Sequence, residues 1–109
     1  MPLETFQIAD KPLGYFIGNF KEAIYRTHLF EVALKKHKRG ENWPNHAQKR
    51  ALEINLVIKG KLLMGNIEYM CGDIFIVPPR IFLKPRFLTD CEVVCIKVPS
   101  LPKDKVILR

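Results

Sequence analysis

A chain of 109 residues, 48% hydrophobic and 10% aromatic, is long enough to bury one core, too short for a second, and too apolar for disorder to be its main state. No apolar run approaches the roughly 20 residues of a membrane-spanning helix, and Met1 to Lys11 lacks the charged start and apolar middle of a secretory signal, so a single domain over 1–109 and a cytoplasmic location are the expectation, with no membrane association. The excess of 18 Lys and Arg over 11 Asp and Glu, a formal charge of +7, favours anionic company. The one tight basic group, Lys35, Lys36, Lys38 and Arg39, would split between the two faces of an alternating strand, which reads as a solvated strand end and disfavours nucleic acid as a partner.

In chain order, Tyr15 to Ile17 reads as an edge strand. Asn19 to Thr27 carries Phe20, Ala23 and Ile24 at helical spacing, the one stretch that a helix could claim. Leu29 to His37 sets Phe30, Val32 and Leu34 against Glu31, Ala33 and Lys35, a period of two that predicts a strand with one buried face. Leu52 to Ile58 is rich in branched aliphatics and ends at Lys59, Gly60 and Lys61. Leu62 to Met64 and Ile67 to Met70 flank Gly65 and Asn66, a pair that tolerates positive φ and so predicts a hairpin. Cys71, Gly72 and Asp73 turn the chain into Ile74 to Val77, which Pro78 and Pro79 close because neither can donate to a ladder. Cys91 to Val98 is the last strand, ended by Pro99, Ser100, Leu101 and Pro102. Cys91 and Cys95 on one strand lie about 13 Å apart, beyond the reach of a disulfide, so Cys71, Cys91 and Cys95 are expected as reduced thiols.

Short strands with frequent turns indicate an all-β fold, a small antiparallel sandwich or barrel. The spacing of Gly40, His46, Gln48, Glu53 and Gly60 sets an imidazole, an amide and a carboxylate around one turn between strands. If His46 and Gln48 share a strand they point to one face about 6 to 7 Å apart, and Glu53 on the next antiparallel strand can converge on them. This spacing resembles the first motif of the cupin superfamily, glycine, five residues, histidine, one residue, histidine, three or four residues, glutamate, six residues, glycine, with Gln48 in place of the second histidine. The second motif of the family is met only at Gly72 and Pro78; Arg80 stands where its glycine would be, Leu83 where its histidine would be, and Phe87 where its asparagine would be. The run Pro99, Ser100, Pro102, Asp104, Lys105 is also similar to that of short bacterial and phage cupin-like proteins.

The resemblance implies a jelly-roll β-barrel of six to eight or more short antiparallel strands, a pocket at its open end, and a divalent metal held by His46, Gln48 and Glu53 with a fourth ligand missing. An amide oxygen is a weaker donor than imidazole for zinc or iron. Trp43 is expected to wall the pocket or cap the core. Arg80, with Lys84 and Arg86, would suit an anion if it turns inward, because guanidinium pairs with phosphate or carboxylate. Glu53 and Asn55 share one strand face, with Leu52, Ile54 and Leu56 on the other; that is either solvent alternation or the polar lining of a barrel mouth. The leading expectation is a small-molecule-binding barrel taking an anionic or sugar-like ligand at His46, Gln48, Glu53, Trp43 and Arg80, with no catalytic residue assigned. Its alternatives are a metal-dependent cupin-type isomerase, epimerase or dioxygenase, and a basic protein that binds nucleic acid. A jelly roll hides its open edge by pairing with a second subunit, so a homodimer is expected.

Overall fold

The computed structural model describes residues 3–108. After two short 3-10 turns, Ile8–Asp10 and Pro12–Gly14, the chain runs through β1 (Tyr15–Gly18), β2 (Tyr25–Arg26), β3 (Glu31–His37), β4 (His46–Gln48), β5 (Leu52–Lys59), β6 (Lys61–Met64), β7 (Ile67–Met70), β8 (Ile74–Val77), β9 (Arg86–Phe87), β10 (Cys91–Val98) and β11 (Lys105–Ile107). These form a six-stranded sheet in the order β2-β1-β3-β10-β5-β8, faced by the ribbon β7-β6-β9 and the pair β11-β4. Backbone bridges Asn42 to Arg86 and His46 to Leu83 link the ribbon and the pair. The chain is therefore all-β, as the short alternating strands predict, and a jelly roll, as the family resemblance implies.

Local chemistry fixes the turns. Gly65 takes φ 64 at the first loop position between Met64 and Ile67, a conformation that suits the twist of a two-residue hairpin. At Gly60 (φ 85) a Cβ would meet the Asp90 carbonyl at 2.1 Å, so only glycine lets the β5–β6 turn pass against the start of β10. The helical option for 19–27 is not realised. The Ile24 N–H donates to the Phe16 carbonyl, which draws Tyr25 and Arg26 alongside β1 as a parallel strand; an isolated two-turn helix has too few internal bonds to compete. β2 also covers the side of β1 that the sequence leaves as the edge.

The two layers meet at a core of Val57, Leu62, Phe75, Val77, Phe87, Cys91 and Val93, where Tyr69 stacks on Phe75 with centroids 4.1 Å apart. This core fills one end of the roll. Towards the other end the inward residues of the large sheet become polar: Glu31, Lys97 and Glu53 lie side by side across β3, β10 and β5, next to the row Ala33, Cys95, Asn55 and Phe75. The apolar residues of β3 that the alternation assigns to a buried face, Val32 and Leu34, point outward, as do Leu52, Ile54 and Leu56 of β5. A two-residue period fixes which side chains share a face but is symmetric as to which face is inside. Here the interior is the polar one, and of the two readings of Glu53 and Asn55 the structure realises the lining of the barrel mouth.

Candidate functional site

A cavity of about 430 Å3 opens at the polar end. β4 brings His46 and Gln48 to it from one wall, with Ala47 facing away, and β5 brings Glu53 from the other; Trp43 lines the same space. Four of the five residues singled out in the sequence thus share one cavity. The fifth does not join them. Arg80 lies in a turn with φ 68, its N–H donating to the Gln48 carbonyl at 2.7 Å, and its side chain is exposed, as are Lys84 and Arg86.

The cations of the cavity come from elsewhere. Lys35 of β3, Lys97 of β10 and Lys105 of β11 all line it. Lys35 Nζ stands 4.4 Å from the Tyr15 ring centroid and Lys97 Nζ 5.3 Å from the same centroid, while Lys105 Nζ stands 4.6 Å from that of Trp43; aromatic faces hold ammonium groups at such distances. Lys35 belongs to the basic group expected to be solvated; alternation turns it inward and leaves Lys36, Lys38 and Arg39 exposed. Burial and the neighbouring charges of Lys97 and Lys105 push the Lys35 ammonium down, and burial and Lys97 do the same to Lys105. Burial pulls Lys97 down as well, but Tyr15, Cys95 and Glu53 outweigh it and hold it above the ordinary value. Burial pushes Tyr15 up to about 12, and burial with the Glu53 charge pushes Cys95 up to about 12, so both keep their protons at neutral pH and Cys95 is no nucleophile.

Three carboxylates of the cavity already have donors. Glu31 Oε1 accepts from Ser100 Oγ at 3.0 Å, Glu53 Oε2 from Asn55 Nδ2 at 3.1 Å, and Asp104 from the N–H groups of Arg50 and Ala51. Among the described residues Lys35, Lys97 and Lys105 make no ion pair within 4.0 Å.

A further group on the wall is absent from the sequence reading. His37 Nδ1 lies 2.6 Å from Glu41 Oε2, which also accepts from Trp43 Nε1 at 2.5 Å. The imidazole stacks on Phe87 with centroids 4.0 Å apart, and Trp43 meets it edge-on at 5.5 Å. Burial pushes His37 below the ordinary 6.5 against the pull of Glu41. Burial pushes Glu41 the other way, but the Trp43 and His37 donors and the Lys38 N–H hold its carboxyl below the usual range. The pair is therefore a neutral imidazole donating Nδ1–H to a carboxylate, which leaves Nε2 as a base with no protein partner among the described residues. Spacing could not reveal it, because a tight turn, Glu41 N–H to Lys38 carbonyl at 3.0 Å, folds Glu41 back onto His37. Since both groups have folded-state pKa values below their unfolded ones, their stabilisation is present at neutral pH and lost on acidification, His37 first. The melting temperature is expected to fall as pH drops below 6.5, and to fall less steeply between pH 6.5 and 5 in His37→Gln, measured by thermal melts across that range.

The metal centre implied by the motif resemblance does not fit these residues. No group of three His, Cys, Asp or Glu among the described residues is placed to hold an ion. Leu83 is bridged directly to His46 through both backbone bonds, His46 N–H to Leu83 O at 3.0 Å and the reverse at 2.9 Å, so an aliphatic side chain stands beside the imidazole. Across the sheet from Glu53 the register places the Lys97 ammonium, a charge that opposes a divalent cation in the same space.

No family model matches the sequence, and no curated protein matches it. Solved structures do match, and they define the fold as the cupin double-stranded β-helix, several of them being cupin or RmlC-like proteins. An uncharacterised double-stranded β-helix protein of Klebsiella pneumoniae superposes with TM-score 0.66 over 99% of both chains at 15% identity. Streptomyces PAC13, in a variant structure with uridine, gives TM-score 0.72 over 100% of this chain and 93% of its own at 14% identity. The DMSP lyase DddQ of Ruegeria pomeroyi gives 0.70 at 16% identity over 94% of this chain, which spans 59% of the lyase. At these identities the likeness is one of fold.

Proposed function

We propose that the chain binds a small hydroxylated anion, of the size of a sugar acid or nucleotide, in the cavity. The observation that carries this reading is the set of three lysines, Lys35, Lys97 and Lys105, lining one cavity with no carboxylate partner within 4.0 Å among the described residues, beside Glu31 and Glu53, which are already held by other donors. Three ammonium groups in a partly dehydrated space attract an anion far more strongly than the same groups in water. His46, Gln48, Glu53 and Asn55 supply the mixed donors and acceptors that hydroxyl groups need, Trp43 and Tyr15 supply flat apolar faces, and about 430 Å3 lies within the range of small-ligand pockets. The complex of the Streptomyces neighbour with uridine supports a ligand of this size.

The test pairs anionic and neutral probes. Galacturonate and uridine 5′-monophosphate are expected to bind at least about tenfold more tightly than galactose and uridine in titration calorimetry, a preference that Lys35→Met removes. Equal binding of the charged and neutral probes, or none, overturns the reading. A stoichiometric transition metal lost in His46→Ala would favour the metal-dependent enzyme instead, and steeply salt-dependent binding of DNA or RNA the basic interaction protein.

A second reading, turnover by proton transfer, is favoured by the Glu41–His37 pair. An imidazole fixed in one tautomer by a carboxylate and clamped between Phe87 and Trp43 is arranged as a general base toward a bound ligand, with the lysines placed to stabilise negative charge that develops as the proton leaves.

A further inference from the structure

Whereas Lys97 has Glu31 and Glu53 for neighbours in the sheet register, Lys35 has Val93 of β10 and beyond it Val57 of β5. Both valines belong to the core and are 5% and 0% exposed. The Lys35 side chain is half-buried and lines the cavity, with Nζ over the Tyr15 ring that Lys97 Nζ also approaches. The charged and titratable groups that face it are Tyr15 of β1, Glu53 of β5, Cys95 and Lys97 of β10, Lys105 of β11 and, on its own strand, His37. Tyr15 and Cys95 keep their protons at neutral pH, which leaves two cations against one carboxylate, and that carboxylate is engaged by Asn55. Two residues along the same inward face, about 7 Å in Cα spacing, stands His37, whose Nδ1 contacts Glu41 and whose Nε2 that contact leaves as a base.

Building on the cavity as an anion site, a reading on which this step rests, we propose that Lys35 is a nucleophilic amine that forms an imine with an acid carrying an aldehyde or ketone group, such as the open-chain form of a sugar acid. An apolar row and neighbouring like charges both favour the neutral amine, the two settings in which lysine becomes a nucleophile. Burial, with the charges of Lys97 and Lys105, accordingly holds the Lys35 ammonium below its ordinary value. The resting ammonium helps to draw the anion in, and the fraction that has shed its proton attacks. Lys97, held above its ordinary value, stays charged to pair with the carboxylate of the guest. In the step itself the amine lone pair adds to the carbonyl carbon and a C–N bond forms. The C–O bond then breaks, and both amine hydrogens leave on that oxygen as water, which leaves a C=N bond. His37 Nε2 carries each proton from nitrogen to oxygen. The electrons balance without an oxidant or a reductant.

Reductive trapping of the full chain with galacturonate and cyanoborohydride, read by peptide mapping, tests this. At neutral pH Lys35 is expected to be alkylated at least about tenfold faster than its exposed neighbour Lys36, and the ratio to shrink towards alkaline pH, where Lys36 also loses its proton. Galactose, a neutral aldehyde sugar, is expected to label Lys35 at least about tenfold more slowly than galacturonate does. Methyl galacturonide, an anion whose ring cannot open to the aldehyde, is expected to leave no adduct and to protect Lys35 from galacturonate. His37→Gln, with its fold checked by circular dichroism, is expected to slow labelling of Lys35 by at least about tenfold and to leave that of Lys36 unaffected; an unchanged Lys35 rate overturns the proton transfer through His37. Galacturonate that binds in calorimetry yet labels Lys35 no faster than Lys36 overturns the imine and leaves the anion site standing. Galacturonate that neither binds nor labels Lys35 overturns both. Labelling of Lys35 that galactose matches, or that methyl galacturonide does not slow, also overturns the proposal.

Discussion

Asp104→Ala is expected to lower stability by about 3 kcal/mol in urea unfolding, roughly 15 °C in melting temperature for a domain of this size. Asp104 is 5% exposed. Its carboxylate accepts the Arg50 N–H at 3.1 Å on both oxygens and the Ala51 N–H at 2.9 Å, and its own carbonyl accepts the Lys49 N–H at 2.9 Å. Three successive amides between β4 and β5 are thereby tied to the loop that leads into β11. Removing the carboxylate leaves the Ala51 donor, in a residue 1% exposed, without an acceptor or water, which is costlier than losing a bond at the surface. Asp104→Asn keeps one acceptor oxygen and should lose about 1 kcal/mol. Equal losses in the two variants would show that the hydrogen bonds are not the cause.

Lys97→Met is expected to cost about 1 kcal/mol at neutral pH, because it removes the cation that stands between Glu31 and Glu53 in the sheet register without forming a close ion pair to either. Lys97→Arg keeps the charge and should lose less. Equal losses in Lys97→Met and Lys97→Arg would assign the effect to packing instead. Lys35→Met, which removes a cation not flanked by two carboxylates in the register, should leave stability nearly unchanged while removing the preference for anionic probes.

The strands long enough to show a period were legible. Leu52 to Ile58, Ile67 to Met70, Ile74 to Val77 and Cys91 to Val98 are observed within one residue of their expected limits. β2, β9 and β11 were not, because two or three residues carry no period and these strands exist through pairing partners far along the chain. The site was legible where a motif marks it: the spacing from Gly40 to Gly60 brings His46, Gln48 and Glu53 to one cavity, and Leu83 falls opposite His46 where the aligned motif sets it. The lysines were not legible, since a lysine on a strand is by default a solvated one, and only the phase of β3 and β10 relative to the cavity turns Lys35 and Lys97 inward. That phase depends on which face is dry, a property of the assembled layers that no single strand carries.

The last strand has a consequence for how the cavity is governed. β11 pairs Lys105 with Gln48 and Ile107 with His46, so one short segment both anchors the wall that carries the motif and delivers an ammonium into the space that wall encloses. Under the proposed function, a guest that engages Lys105 would fasten the Asp104 tether, and a change that loosens the tether would weaken retention of that guest by the same free energy.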